Sequence, residues 1–314
     1  MKIGFLFPGQ GAQTTGMCKD LYDKFEEVRN VYEEVKKISG IDVCDLTFNS
    51  ENEALLNQTR YTQICILTMS LAILRLLEKE NVKAEISSGL SLGEYTSLIY
   101  SKKLDFETGI KLVKNRGEYM HTLVPEGNWK MAAILGLEDE KVEEICSKVK
   151  SGFAEAVNFN CPGQVVASGD ESGINELEEL AKDAGAKKVR ILNTSGPFHT
   201  SKLSKASDKL KEDLKEVTFN NFETEVVRNL DGKIYKNTDD MVKILAHHIT
   251  SPVRFSKGLE NMIKSGVDTF IEVGPGKTLS GFVKRIETDK TINILNINNV
   301  ESYEKTLEFL KMED

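Results

Sequence analysis

Apolar positions change their period repeatedly along the chain, and each change marks an element. Met1–Phe7 is a short apolar run that meets Pro8-Gly9-Gln10 too soon for a leader peptide, so it predicts a buried first strand. Leu21, Phe25, Val28, Tyr32, Val35 and Ile38 recur at helical spacing, and Gly40 supplies a stop. Residues 62–80 predict a second, more buried helix. Its most apolar stretch, Ile64 to Leu77, is interrupted by Thr68, Ser70 and Arg75 and is too short to span a bilayer, so no membrane association is expected. Glu85–Ser88 then predicts a strand, Glu94–Tyr100 the helix leaving it, and Glu107–Thr122 a helix that carries Arg116.

From about residue 126 the pattern changes character. Strands over Met131–Leu137, Ala154–Asn160, Gln164–Ser168 and Lys188–Asn193 enclose helices over Glu138–Lys150 and Ile174–Ala184. That order, β-α-β-β-α-β, is the order of a ferredoxin-like module. Beyond it the pattern predicts a helix at 201–214, a strand near Glu225–Arg228 and a helix over Asn237–Ile249. A strand at Thr269–Val273, a helix at Leu279–Ile286, a strand at Ile292–Ile297 and a terminal helix after Ser302 complete the chain. Strands alternating with helices imply a mainly parallel sheet covered on both faces. The expected fold class is therefore α/β: a large α/β-hydrolase-like domain from residues 1–125 and 199–314, with a small ferredoxin-like domain, 126–198, inserted into it.

Composition narrows the function classes. The 314 residues, 40% hydrophobic and 29% charged, describe an ordinary soluble globular chain. A net charge of −8 argues against a nucleic-acid binder. Five cysteines (Cys18, Cys44, Cys65, Cys146 and Cys161) are scattered and odd in number, which fits neither a disulfide framework nor a zinc set and suits a reducing cytoplasm. Neither a metal nor a cofactor is expected. Lys187, Lys188 and Arg190 form one basic cluster, and Lys277, Lys284 and Arg285 another. Each reads either as a solvated face or as a docking site for an acidic partner. No exposed apolar stripe stands out, so a monomer is expected.

The candidate chemistry centres on Gly89-Leu90-Ser91-Leu92-Gly93, a G-x-S-x-G sequence between a predicted strand and a predicted helix. In a nucleophile elbow the turn is so tight that the serine needs small neighbours two residues either side. Ser91 is thus the leading nucleophile, and a serine at neutral pH needs a base, most often histidine. Of the four histidines, His121 reads as a surface residue or a helix C-cap, and His247 and His248 end a helix, where cationic side chains favour the carbonyl dipole. His199 follows Ser195-Gly196-Pro197-Phe198 at the return from the small domain, where a cleft would form; it reads as the base or as a surface-loop histidine. The loop Phe7-Pro8-Gly9-Gln10-Gly11-Ala12-Gln13 suits an oxyanion hole or a generic glycine turn. Gly274-Pro275-Gly276-Lys277-Thr278 lacks the first glycine of a phosphate loop, since Ile271 stands there, and reads as a turn before a helix.

Taken together, Phe7–Gln13, Gly89–Tyr95, Arg116-Gly117 with Met120, and Asn158-x-Asn160-x-Pro162-x-Gln164 resemble the malonyl-CoA:acyl carrier protein transacylases of fatty-acid synthesis. Phe198-His199-Thr200 and Glu272–Gly276 extend the resemblance over nearly the whole chain. The resemblance implies that Ser91 is acylated with His199 as its base, and that the backbone N–H groups of Gln10 and Leu92 form the oxyanion hole. Arg116, otherwise a helix-surface ion-pair residue, would bind the malonyl carboxylate through its planar fork. His248 joins the substrate-binding set at a position where the family often has glutamine, its backbone carbonyl orienting the catalytic histidine. Leu90 departs from the family's usual histidine before the serine, and Trp129 is unexplained. The implied partners are a coenzyme A thioester and an acidic acyl carrier protein. A serine hydrolase with Asp170 as third triad member is the first rival, and a carrier-docking protein without turnover the second.

Overall fold

The computed structural model describes residues 1–192, 196–286, 288–289 and 291–313. The last residue of the predicted strand Lys188–Asn193, and Ser195 of the predicted loop, lie outside the described residues. Nine strands form two sheets among the described residues: β1 Ile3–Phe7, β2 Ile86–Gly89, β3 Trp129–Leu135, β4 Ala154–Cys161, β5 Gln164–Asp170, β6 Lys188–Ile191, β7 Glu225–Val227, β8 Thr269–Val273 and β9 Asn293–Ile297.

The larger sheet has the order β7-β2-β1-β8-β9 and is parallel at every pairing. Its central strands are covered on both faces, which is why they read as apolar runs rather than alternating ones. Phe5, Leu6 and Phe7 in β1 and all five residues of β8 are buried. The 21-residue helix Thr59–Lys79 starts earlier than its most apolar stretch suggests. It is long and apolar enough to cross a membrane, yet most of it is packed inside the protein. The smaller sheet, β4-β5-β3-β6, is antiparallel throughout and carries crossover helices Asp139–Lys148 and Glu171–Asp183. This strand order is the one a β-α-β-β-α-β chain of the ferredoxin-like type adopts. Edge strand β4 is stitched to the rest of the molecule at Val253: Phe159 N–H donates to Val253 O (2.9 Å), and Val253 N–H donates to Val157 O (2.8 Å).

Several predicted boundaries shift. The helix expected from Leu21 to Ile38 is two helices, Lys19–Lys24 and Glu26–Ser39, because Phe25 is extended between them. Strand Met131–Leu137 runs instead from Trp129 to Leu135 and is closed by Gly136 at φ 89°. The helix expected over Asn237–Ile249 begins only at Met241, where Asp240 accepts a hydrogen bond from Lys243 N–H at 3.0 Å and caps it. Helices Val43–Phe48 and Phe255–Lys264 are additions to the predicted set.

Candidate active site

The site lies at the carboxyl ends of the parallel strands, where open α/β sheets place their ligands. β1 delivers the Pro8–Gln13 loop, β2 the elbow, β7 Asn229, and β8 the Gly274–Lys277 turn. The elbow's glycines are required by backbone packing. A Cβ on Gly89 would stand 2.0 Å from the Gly93 carbonyl carbon, one on Gly93 2.1 Å from Phe7 O, and one on Gly9 2.2 Å from Leu90 O. No real Cβ tolerates such distances, so this corner admits only glycine. Between them Ser91 takes φ 52°, a left-handed conformation that costs a non-glycine residue of order 1–3 kcal/mol. His199 is held the same way at φ 61°.

These two strained residues meet. Ser91 Oγ is 2.8 Å from His199 Nε2. On the other edge of the ring, Nδ1 is 3.0 Å from His248 O and 3.2 Å from Ser251 O. Carbonyls only accept, so Nδ1 carries the ring proton and Nε2 is left with a lone pair facing the serine hydroxyl. Burial and the neighbouring Arg116 charge bring the His199 pKa down to about 4, which keeps the ring neutral and able to accept a proton.

Arg116, in helix Phe106–Thr122, is 1% exposed. Its Nη2 donates to Ser91 Oγ at 3.0 Å, its Nη1 donates to Gln63 Oε1, and its guanidinium lies 5.4 Å from the Tyr95 ring centre. Nε has no partner, and no ion pair to Arg116 exists among the described residues. Burying a cation with no carboxylate in direct contact costs several kcal/mol, and an anionic ligand offsets that cost.

Asn229 grips the elbow from the β7 side. Its Oδ1 accepts from Ser91 N–H (2.7 Å) and its Nδ2 donates to Gly89 O (2.8 Å). The Pro8–Gln13 loop is fixed by its own amides: Gln10 Nε2 donates to Thr59 Oγ1 (3.1 Å), and Gly11 N–H donates to Gln13 Oε1 (2.8 Å). The backbone N–H groups of Gln10 and Leu92 have no partner among the described residues, and both residues line the cavity, as an oxyanion hole needs. That cavity, about 230 Å³, is lined by Ser91, His199, Arg116 and Gln63, by Met131, Ala133 and Val166 of the antiparallel sheet, and by the amides Asn158, Asn160 and Gln164.

Two sequence-based readings need correction. The His248 side chain is absent from the cavity lining and packs against His199, ring centres 5.1 Å apart. Nor is it a cationic helix terminus, because burial pushes its pKa well below the ordinary value. Its carbonyl does orient His199. Asp170, the candidate triad acid, caps helix Glu171–Asp183 instead, accepting from Gly173 N–H (2.8 Å) and Phe153 N–H (3.0 Å). Trp129 packs edge-on to Phe153 and donates to Pro125 O (2.7 Å), outside the cavity lining. Leu90, by contrast, lines the cavity. Gln63, Asn229 and Ser251 are site residues that sequence reasoning missed. Each sits far along the chain from Ser91, and none belongs to a motif around it.

The sequence profile described as "Acyl transferase domain" matches residues 4–301. Among similar proteins, the malonyl CoA-acyl carrier protein transacylase of Bacillus subtilis (strain 168) is 36% identical over all of this chain and 98% of its own length. That of Staphylococcus aureus (strain MSSA476) is 37% identical over 96% of this chain and 98% of its own. The crystal structure of the Clostridium perfringens malonyl CoA-acyl carrier protein transacylase superimposes with a TM-score of 0.93 at 44% identity, covering 100% of this chain and 98% of that one. A malonyl-transacylase in complex with its type II polyketide-synthase acyl-carrier protein superimposes with a TM-score of 0.93 at 34% identity, covering 98% of this chain and all of that one. With its elbow, its Ser91–His199 pair and its fold all in place, this chain belongs to the acyl transferase domain family.

Proposed function

We propose that this protein is an acyl carrier protein S-malonyltransferase, moving malonyl from coenzyme A to the phosphopantetheine thiol of an acyl carrier protein through a malonyl-Ser91 ester. The observation that carries the reading is Arg116: a buried guanidinium 3.0 Å from the nucleophile with no carboxylate in contact with it among the described residues. A substrate whose acyl group ends in a free carboxylate completes that ion pair, and a planar fork suits the bidentate geometry.

The steps balance on one histidine. His199 Nε2 takes the Ser91 hydroxyl proton while Oγ bonds to the thioester carbon, the oxyanion resting on the Gln10 and Leu92 N–H groups. The C–S bond breaks, and the departing coenzyme A sulfur takes the proton from Nε2. The carrier thiol then gives its proton to Nε2, its sulfur attacks the ester carbon, and Ser91 Oγ leaves with the proton. Both thioesters are of similar energy, so concentrations set the direction. These steps call only on the chain's own side chains and backbone groups. We assign the catalytic pair to a large domain, 1–125 with 199–314, and the cavity-lining Met131, Ala133 and Val166 to a small one, 126–198.

The exposed cations Lys188 and Arg190 lie on β6, where Arg190 pairs with the cavity-lining Ala133, and the exposed Lys277, Lys284 and Arg285 are close in sequence to the cavity-lining Thr278 and Phe282. They suit an acidic carrier that docks transiently, acting on a cytoplasmic monomer. Arg116→Ala tests the reading. Malonyl transfer falls about 100-fold while acetyl transfer, slow in the parent, holds or rises, so discrimination collapses. A parent that transfers both groups equally well would overturn the role given to Arg116.

A further inference from the structure

When His199 takes the serine proton it becomes a buried imidazolium, and triad enzymes offset such a charge with an acid at Nδ1. Here Nδ1 meets only carbonyls, and the adjacent Arg116 is itself a cation. A carboxylate is present one layer deeper. Glu94, in the helix leaving the elbow, is 1% exposed. Its Oε1 accepts from Tyr235 OH, and its Oε2 accepts from Asn229 N–H (3.3 Å) and lies 3.3 Å from His248 Nδ1. The His248 ring has no aligned hydrogen bond at either nitrogen among the described residues and is inclined 34° to the His199 ring. Carboxylate, ring and catalytic ring thus form one buried stack.

We propose that Glu94, acting across the neutral His248 ring, is the anionic positioning residue that supports His199 while it holds the serine proton. The inference rests on the reading of Ser91 and His199 as the acyl-transfer pair. The ionisable groups around the stack are Arg116 and Tyr95 on the cavity side, Arg228 and Tyr235 on the β7 side, and His199 and His247 beside His248. Burial raises the Glu94 carboxyl to about 7, against the opposing pull of Tyr235, Asn229 and the two arginines. Glu94 therefore changes charge near neutrality while His248 stays neutral. Ionised Glu94 draws the single ring proton of His248 to Nδ1. Protonated Glu94 offers its own O–H to Nδ1, and the ring proton moves to Nε2.

The test is the rate of coenzyme A release on acylation of Ser91, followed by rapid mixing from about pH 5.5 to 8.5. The parent rate rises about tenfold with a midpoint near neutrality, whereas Glu94→Gln is flat at the slow level. A Glu94→Gln profile that keeps the parent's step, at any overall rate, overturns the proposal. Should that variant fail to fold, ¹⁵N-histidine spectra of the parent decide, since only four rings contribute. The His248 nitrogens exchange proton positions with the same midpoint and never reach the imidazolium shift, or, if they stay unmoved, the proposal fails. A parent that forms no malonyl adduct sinks the acyl-transfer reading as well. A normal adduct with an unshifted profile sinks only the role of Glu94.

Discussion

The two sheets treat strain and charge in opposite ways. At the carboxyl edge of the parallel sheet, Ser91 and His199 occupy left-handed backbone without being glycine, and Arg116, Glu94, His199 and His248 are all buried. In the antiparallel sheet and its helices, positive φ values fall on Gly136, Gly163 and Gly185, where they cost little. Charges there cap, as Asp170 does, pair at the surface, as Lys148 and Glu144 do, or stand exposed, as Lys188 and Arg190 do. Both sheets line the same cavity, but only one stores unfavourable energy in it. The antiparallel sheet carries cavity-lining apolar residues and the exposed cations of β6; the parallel one carries the Ser91 elbow.

The largest way to break this contrast is to remove the base. His199→Gln should lower Ser91 acylation about 1,000-fold or more without loss of fold, measured as single-turnover coenzyme A release. The same assay checks the sign of the His199 shift. An imidazole held down at about 4 is still neutral at about pH 5.5, so apart from the Glu94 step the parent should keep acylating there. Only towards pH 4 does protonation of the ring stop it.

Glycine replacement sharpens the comparison in stability rather than rate. Gly89→Ala drives a Cβ into the Gly93 backbone and should cost about 3 kcal/mol or more, with loss of the elbow. Gly185→Ala, at φ 91° but with nothing within 4 Å, should cost only about 1 kcal/mol and leave activity unchanged. Denaturant midpoints on both variants check this. The smallest effect lies on β6. Reversing Lys188 and Arg190 to glutamate should raise the KM for the carrier several-fold at low salt, converge with the parent at high salt, and spare acylation by malonyl-CoA.

Much of this was legible in sequence because the elbow concentrates its signal in five residues. Gly89 and Gly93 stand where the backbone leaves no room for a side chain, and Pro8–Gln13 lies directly after a strand. The β-α-β-β-α-β run was readable because each strand is short and bounded by turn residues. What escaped depends on long-range pairing. Asn229 reaches Ser91 across 138 residues, and Gln63 reaches Arg116 across 53, so no local pattern announces either. His248 was misread because its place at a helix end suggested a cation, while its burial against His199 and Glu94 is decided by tertiary packing. The helix Phe255–Lys264 did carry a signal, with Phe255, Leu259, Met262 and Ile263 on one face, behind a proline that drew attention to the turn.

The most direct measurement is intact mass after brief incubation with malonyl-CoA, comparing the parent with Ser91→Ala. The account predicts a malonyl-sized adduct on the parent, none on the variant, and rapid clearance of the adduct by holo acyl carrier protein but not by water. An adduct that survives in Ser91→Ala, or one that water removes as fast as the carrier does, would contradict it.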